Sequence, residues 1–275
     1  VSDLAQVTFV DEDEVDGRYR VLLYGQAKAG KSVGAATAPG PIMVLSADRP
    51  GAYRFARTRH PRGHLREVRV EGKNSLDLAY MYLRANPGDF QTVVVDPVGN
   101  VYDVLLKELG GGKPQIQHHG MVQNTILEFV KALRALPIHV VLVAHEEMSG
   151  SGDDDVAAVR RPMTGGQKLP DKVMAEMDII AHVGRIPATE ESPDRWVGVL
   201  VEDRGRVAGD ATGSLGKVRD LDLGEWFAHA TASLSPDESD IPWGPEGPDN
   251  SDPDPQPEGD GPLDDEALAA QEKLV

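Results

Sequence analysis

Residues 25–32 read GQAKAGKS, with the spacing G-x-x-x-x-G-K-S. Residues of these types in this order hold phosphate. The backbone N–H groups of a glycine-rich turn point inward at phosphate oxygens, and the helix that follows adds the positive end of its dipole. Gly25 and Gly30 permit the tight path, and Gln26, Ala27, Lys28 and Ala29 supply the amides of the turn. Lys31 is expected to reach the β- and γ-phosphates and Ser32 to bind Mg2+, and Val33 closes the expected nucleotide-binding segment. Lys28 is an additional cation, placed either on a phosphate or on the solvent side. The expected ligands are ATP and Mg2+.

Magnesium in such a site needs a carboxylate at the end of a buried strand. The run TVVVDP supplies Asp96 after four apolar or β-branched residues, which makes Ser32 and Asp96 the expected metal-binding pair. Two further runs end in residues able to do chemistry. Asp48 closes IMVLSAD, and His145 closes VVLVAH and is followed by Glu146 and Glu147. Ligands of open α/β sheets gather at the carboxyl ends of strands. Hydrolysis of a γ-phosphate needs a group that orients the attacking water. Asp48 is the first candidate for that group and Glu146 the second, and His145 is placed to sense the γ-phosphate.

These side chains need strands to carry them. YRVLLYG, PIMVLSADRPG, FQTVVVDPVGN and IHVVLVAHEE read as strands buried on both faces, and VRVEG as a short further strand. KSVGAATA, NSLDLAYMYLRANPG and GMVQNTILEFVKALRALP read as helices, the last with Ile126, Phe129, Val130 and Leu133 on one face. MAEMDIIAHVGRI and RWVGVLVEDRG are two more strands, close enough in sequence to pair as an antiparallel hairpin. The alternation implies an α/β fold with a mostly parallel sheet and helices on both faces. Residues 1–17 form an expected N-terminal arm, 18–234 the nucleotide-binding domain, and 235–275 a tail.

The tail accounts for most of the charge. The chain of 275 residues has a formal net charge of −17, and residues 235–275 hold thirteen carboxylates against one lysine, with eight prolines. Such a segment cannot bury enough apolar surface to offset its chain entropy and is expected to stay disordered. Within it SDIPW, residues 239–243, is a short apolar tip with acidic flanks. It suits either a solubility device or an anchor steered to a basic groove. The lack of cysteine excludes disulfides and thiolate metal sites and suits a cytoplasmic protein. No run reaches the length of a membrane span, and no secretion signal is visible.

LLYGQAKAGKS, VLSAD, TVVVDPVGNVYD, FVKALRALPIHVVLVAHEE, MTGGQKLPDKVMAEMDIIAHV and VEDRG, taken in order, resemble a RecA-like ATPase. They are most similar to the phage Sak-type single-strand annealing proteins or AAA-type ATPases, over roughly residues 18–210. The resemblance implies a RecA-like domain that hydrolyses ATP and binds single-stranded DNA in phage recombination or annealing. It also implies a homo-oligomer, as ring or filament, and admits a partner in replication such as a single-strand-binding protein. It gives Asp48 the water-activating role, one methylene shorter than the usual Glu, and places Pro97 where Ser is frequent after the metal-binding Asp. Arg204 matches the late arginine of the family, a residue expected to complete a neighbouring subunit's site. RecA-like proteins bind DNA with two mobile loops. The segments 109–120 (LGGGKPQIQHHG) and 148–170 are the expected equivalents, with Lys113, His118, His119, Arg160, Arg161 and Lys168 as cations. A helicase loader or helicase-type motor uses the same fold, a small-molecule kinase would use Arg160 and Arg161 as a lid, and a nucleotide-gated interaction module would need no turnover.

Overall fold

The computed structural model of the chain describes residues 17–233, apart from 50, 112, 151–157, 190–191 and 204. Residues 1–16 of the expected arm, Arg204, SDIPW and the acidic tail therefore lie outside the described residues.

The first half of the chain alternates strand and helix: β1 (Arg20–Gly25), α1 (Lys31–Ala35), β2 (Ile42–Ser46), α2 (Arg54–Arg57), β3 (Leu65–Arg69), α3 (Lys73–Ala85), β4 (Thr92–Asp96) and α4 (Val98–Gly110). Then follow α5 (Ile116–Arg134), β5 (His139–Ser149), β6 (Val159–Met163), α6 (Leu169–Met174), β7 (Ile179–Ile186), β8 (Arg195–Val199), β9 (Gly209–Asp210), β10 (Val218–Asp220) and α7 (Leu223–Ser233). The strands form one sheet in the order β10-β8-β7-β1-β5-β4-β2-β3. From β3 to β7 all neighbours are parallel. β7 and β8 form the expected antiparallel hairpin, and β10 extends it.

The central strands read as unbroken apolar runs because both of their faces are covered. Leu22, Leu45, Val95 and Leu142 pack on one face with Leu76, Leu105, Ile126 and Leu169 from α3, α4, α5 and α6. Leu23, Val44, Val94 and Val143 pack on the other with Ala35, Trp226 and Phe227 from α1 and α7. Three of these helices, α4, α6 and α7, go beyond the sequence expectation, although the period of α4 and α7 is plain. Val98, Val101, Tyr102 and Leu105 are buried on α4, and Leu223, Trp226, Phe227 and Ala230 on α7, both with the i, i+3, i+4, i+7 spacing of a helix that buries one face.

The structure corrects the two expected DNA loops. In 109–120, α4 runs to Gly110 and α5 starts at Ile116, so His118 and His119 are helical and Lys113 sits on a short connection. In 148–170, β5 continues to Ser149 and β6 returns antiparallel to it, so the segment is a hairpin whose tip, 151–157, lies outside the described residues. Arg160 and Arg161 are on β6, and Lys168 precedes α6. Glycine content was a poor guide here, because Gly110 and Gly111 stop a helix rather than open a long loop.

Candidate ATP site

β2, β4, β5 and β1 are adjacent in the sheet. Their carboxyl ends coincide: Ser46 is in register with Asp96, and Gly25 with His145. The backbone N–H of Ala47 donates to the Asp96 carbonyl at 3.1 Å, which keeps the chain leading to Asp48 beside Asp96. The glycine-rich turn, Asp48, Asp96, His145 and Glu146 thus meet at one edge of the sheet.

The turn leaves β1 at Gly25 (φ 150°) and enters α1 at Gly30 (φ 90°), backbone conformations that favour glycine. A Cβ on Gly25 would run into the Val183 carbonyl, and one on Gly30 into the indole of Trp196. The turn is therefore packed directly on β7 and β8. Gln26, Ala27 and Lys28 are exposed. Lys31 is buried and donates from Nζ to the carbonyls of Gly25 at 2.8 Å and Gln26 at 2.6 Å. Burial lowers its pKa, while Asp96 and Glu146 act in the opposite direction.

Asp96 is 6% exposed. Its Oδ2 accepts hydrogen bonds from the Ser32 hydroxyl and the Tyr53 hydroxyl, both at 2.6 Å. Burial raises its pKa, and the Ser32 and Tyr53 hydrogen bonds and Lys31 oppose that shift. Among the described residues no cation forms an ion pair with it. A buried carboxylate held only by hydroxyl donors is a negative charge without its counterion. Carboxylate and hydroxyl oxygens at the mouth of a phosphate-binding turn suit a hard cation such as Mg2+, which is usually held by one or two carboxylates and the substrate phosphates. Among the described residues no three His, Asp or Glu side chains form a closed metal cage, which such a substrate-shared cation does not need. Ser32 and Asp96 would hold the ion, and its bound form supplies charge neutralisation at the γ-phosphate.

Asp48 is exposed, and its Oδ1 accepts the N–H of Arg49 at 2.7 Å. It is near enough to raise the pKa of Asp96. Glu146 lies on the opposite face of the sheet, where its Oε2 is 2.9 Å from His182 Nε2. His145 is half-buried within β5, where the pairing with β1 ends and that with β6 begins. The sequence reading missed Tyr53, Tyr24, His182 and Arg206. Tyr24 donates to the Val207 carbonyl at 2.6 Å, and its ring meets His182 edge-on at 5.1 Å between centroids. Arg206 is 4% exposed and pairs with Asp203 at 3.0 Å. Of the expected DNA contacts, Arg161 is held by Glu147 at 2.9 Å, and Lys113 and Lys168 are exposed.

Residues 17–212 match the family described as an AAA domain, AAA_24. No curated protein matches the chain. Among solved structures, the KaiC-like protein PH0186 from the hyperthermophilic archaeon Pyrococcus horikoshii OT3 is similar over 67% of this chain and 78% of that chain, with 12% identity and a TM-score of 0.42. No helix among the described residues is long and apolar enough to cross a membrane. The fold is RecA-like, with a mostly parallel mixed sheet whose strand ends carry the phosphate-binding turn and Asp96, and the chain belongs to the AAA_24 family of P-loop ATPases.

Proposed function

We propose that this ATPase acts on single-stranded DNA, with turnover stimulated by the strand, in phage recombination or annealing. The convergence of Lys31, Ser32, Asp48 and Asp96 at the ends of β1, β2 and β4 carries the ATPase half of this reading. Support for the DNA half is the resemblance of the ordered runs from LLYGQAKAGKS to VEDRG to the Sak-type proteins. In the proposed cycle Lys31 leaves the loop carbonyls for the phosphates. Asp48, on the solvent side of the site, orients the attacking water, and His145 and Glu146, where β5 begins to pair with β6, pass the state of the γ-phosphate to the β5–β6 hairpin. The protein works as a ring or filament, with Arg204 contributed to a neighbour's site.

The test is phosphate release from Mg-ATP with and without single-stranded DNA, using wild type and Lys31→Ala. The expected result is a rate that rises with DNA and vanishes in Lys31→Ala. A wild-type rate indifferent to DNA at every salt concentration would refute the DNA half and leave the ATPase standing.

A further inference from the structure

Residues 49–69 hold seven arginines against one glutamate, in a chain whose formal net charge is −17. They link β2 to β3 through α2 and form that strand, at the edge of the sheet. All seven arginines are exposed. Arg57 is held by Glu67 at 2.9 Å and Arg69 by Glu71 at 3.3 Å, and Arg66 lies over the Phe90 ring at 5.6 Å. Arg49, Arg54, Arg59 and Arg62 have no carboxylate partner among the described residues. Among them stands Phe55, 67% exposed, with the Arg54 guanidinium 4.9 Å from its ring centroid.

We propose that this surface binds single-stranded DNA, with Arg54, Arg59 and Arg62 on backbone phosphates and Phe55 as the platform for a base; the proposal rests on the DNA reading above. Cations give affinity for a phosphate backbone, and an exposed aromatic ring gives the stacking that a single strand, with its bases free, can use. Arginine also stacks on rings and bases where lysine does not. The two glycine-rich segments offer cations without the platform: they have no Phe, Tyr or Trp, and Arg161 is already held by Glu147.

The position of this surface also explains how a bound strand reaches the ATP site. The connection starts at Asp48, and α2 follows Tyr53, which is buried with its hydroxyl on Asp96 at 2.6 Å. Moving α2 moves a donor to the carboxylate assigned to the cation. The chain's own acidic tail, residues 235–275, is the rival polyanion for the same arginines.

The experiment uses the full chain, a fluorescein-labelled oligothymidylate of about 30 nucleotides, and anisotropy over a salt series. Phe55→Ala should weaken binding about tenfold. The triple variant Arg54→Glu, Arg59→Glu, Arg62→Glu should weaken it by at least about a hundredfold and lower the slope of log K against log salt by about 2. The control set Lys113→Ala, Arg160→Ala, Lys168→Ala should bind within about threefold of wild type, and all variants should still bind ATP, which reports folding. Tyr53→Phe should bind the strand normally and lose its stimulation of turnover. If the α2 variants bind like wild type while the control set fails, the surface is wrong and the DNA reading survives. If wild type itself binds no oligonucleotide at low salt, the DNA reading falls and this inference with it. A labelled peptide of residues 235–275 is the last arm: if the α2 variants lose the peptide but keep the oligonucleotide, the acidic tail is the occupant and the proposal is overturned.

Discussion

Asp96 and Glu146 both act on Lys31 electrostatically, yet they stand on opposite faces of the sheet edge and are held in different ways. On the α1 face, Asp96 receives two hydroxyl hydrogen bonds and, among the described residues, no ion-pair partner. On the other face, Glu146 meets His182, and Arg206 adds its charge to the surroundings of His182 and Tyr24. Burial lowers the His182 pKa, so the arginine rather than the imidazole supplies most positive charge there. Two polar atoms of this second cluster, His182 Nδ1 and Arg206 Nη1, have no hydrogen-bond partner among the described residues, while Arg206 Nε lies 3.0 Å from Asp203. One carboxylate is thus fixed and short of a paired positive charge, while the other sits in a group with unpaired polar atoms. A fixed, unpaired charge suits ion binding, and a group with unpaired polar atoms suits a change of partners when a γ-phosphate arrives or leaves.

The sharpest way to break this comparison is to remove Lys31, which both carboxylates influence electrostatically and neither pairs with. Lys31→Ala is expected to abolish turnover and weaken ATP binding by ten- to a hundredfold, the loss of a charged hydrogen bond worth about 1.5–3 kcal/mol. Calorimetric titration and phosphate release would measure both. Next in size is Asp96→Asn, which keeps the shape of the side chain and removes its charge. It should eliminate the Mg2+ dependence of nucleotide affinity, whereas Glu146→Gln should leave that dependence intact. Equal effects of the two substitutions would show that the faces do not divide their work as described.

Asp48→Asn is expected to slow turnover by about a hundredfold or more with Mg-ATP affinity nearly unchanged. Should Glu146→Gln give that pattern and Asp48→Asn turn over normally, the water-orienting group lies on the His182 face. The smallest effect concerns His139, at the opposite end of β5. Its Nδ1 accepts the Tyr19 N–H at 3.1 Å and its ring stacks on Phe227 at 4.4 Å. Burial, helped by Arg18 and Arg20, lowers its pKa from 6.5 to about 4. The unfolded chain therefore takes up a proton below about 6.5 that the folded chain refuses until about 4. Stability should be full above that window and fall through it as pH drops, by on the order of 2 kcal/mol. Denaturant titrations at pH 7 and 5 would detect the loss, and His139→Gln should flatten it. Turnover lost in parallel with stability over this range would assign the acid limb to unfolding rather than to either carboxylate.

The glycine-rich turn, Asp96 and Asp48 were legible in the sequence because their signals are local: a motif of eight residues, and apolar runs each ending in a polar side chain. The four strands that carry the site were legible for the same reason, since burial on both faces leaves a run without polar interruptions. Glu146 could be read as a carboxylate at a strand end, but not as the partner of His182, which lies 36 residues further along the chain. Tyr53 gave no signal at all, because its hydroxyl finds Asp96 across a separation of 43 residues. The arginines of 49–69 are plain in the sequence once counted, but without the fold they are scattered charges rather than one exposed surface joined to the ATP site.

The sequence by itself determined the class of fold and the phosphate-binding chemistry, because backbone conformation at Gly25 and Gly30 and strand burial depend on neighbouring residues. Only the tertiary structure decided which side chains partner Asp96 and Glu146, that Arg161 is spent on Glu147, and that the α2 arginines face solvent beside Phe55. These outcomes depend on the order and facing of strands brought together by burial of a common core, a long-range packing result that no local pattern of residues contains.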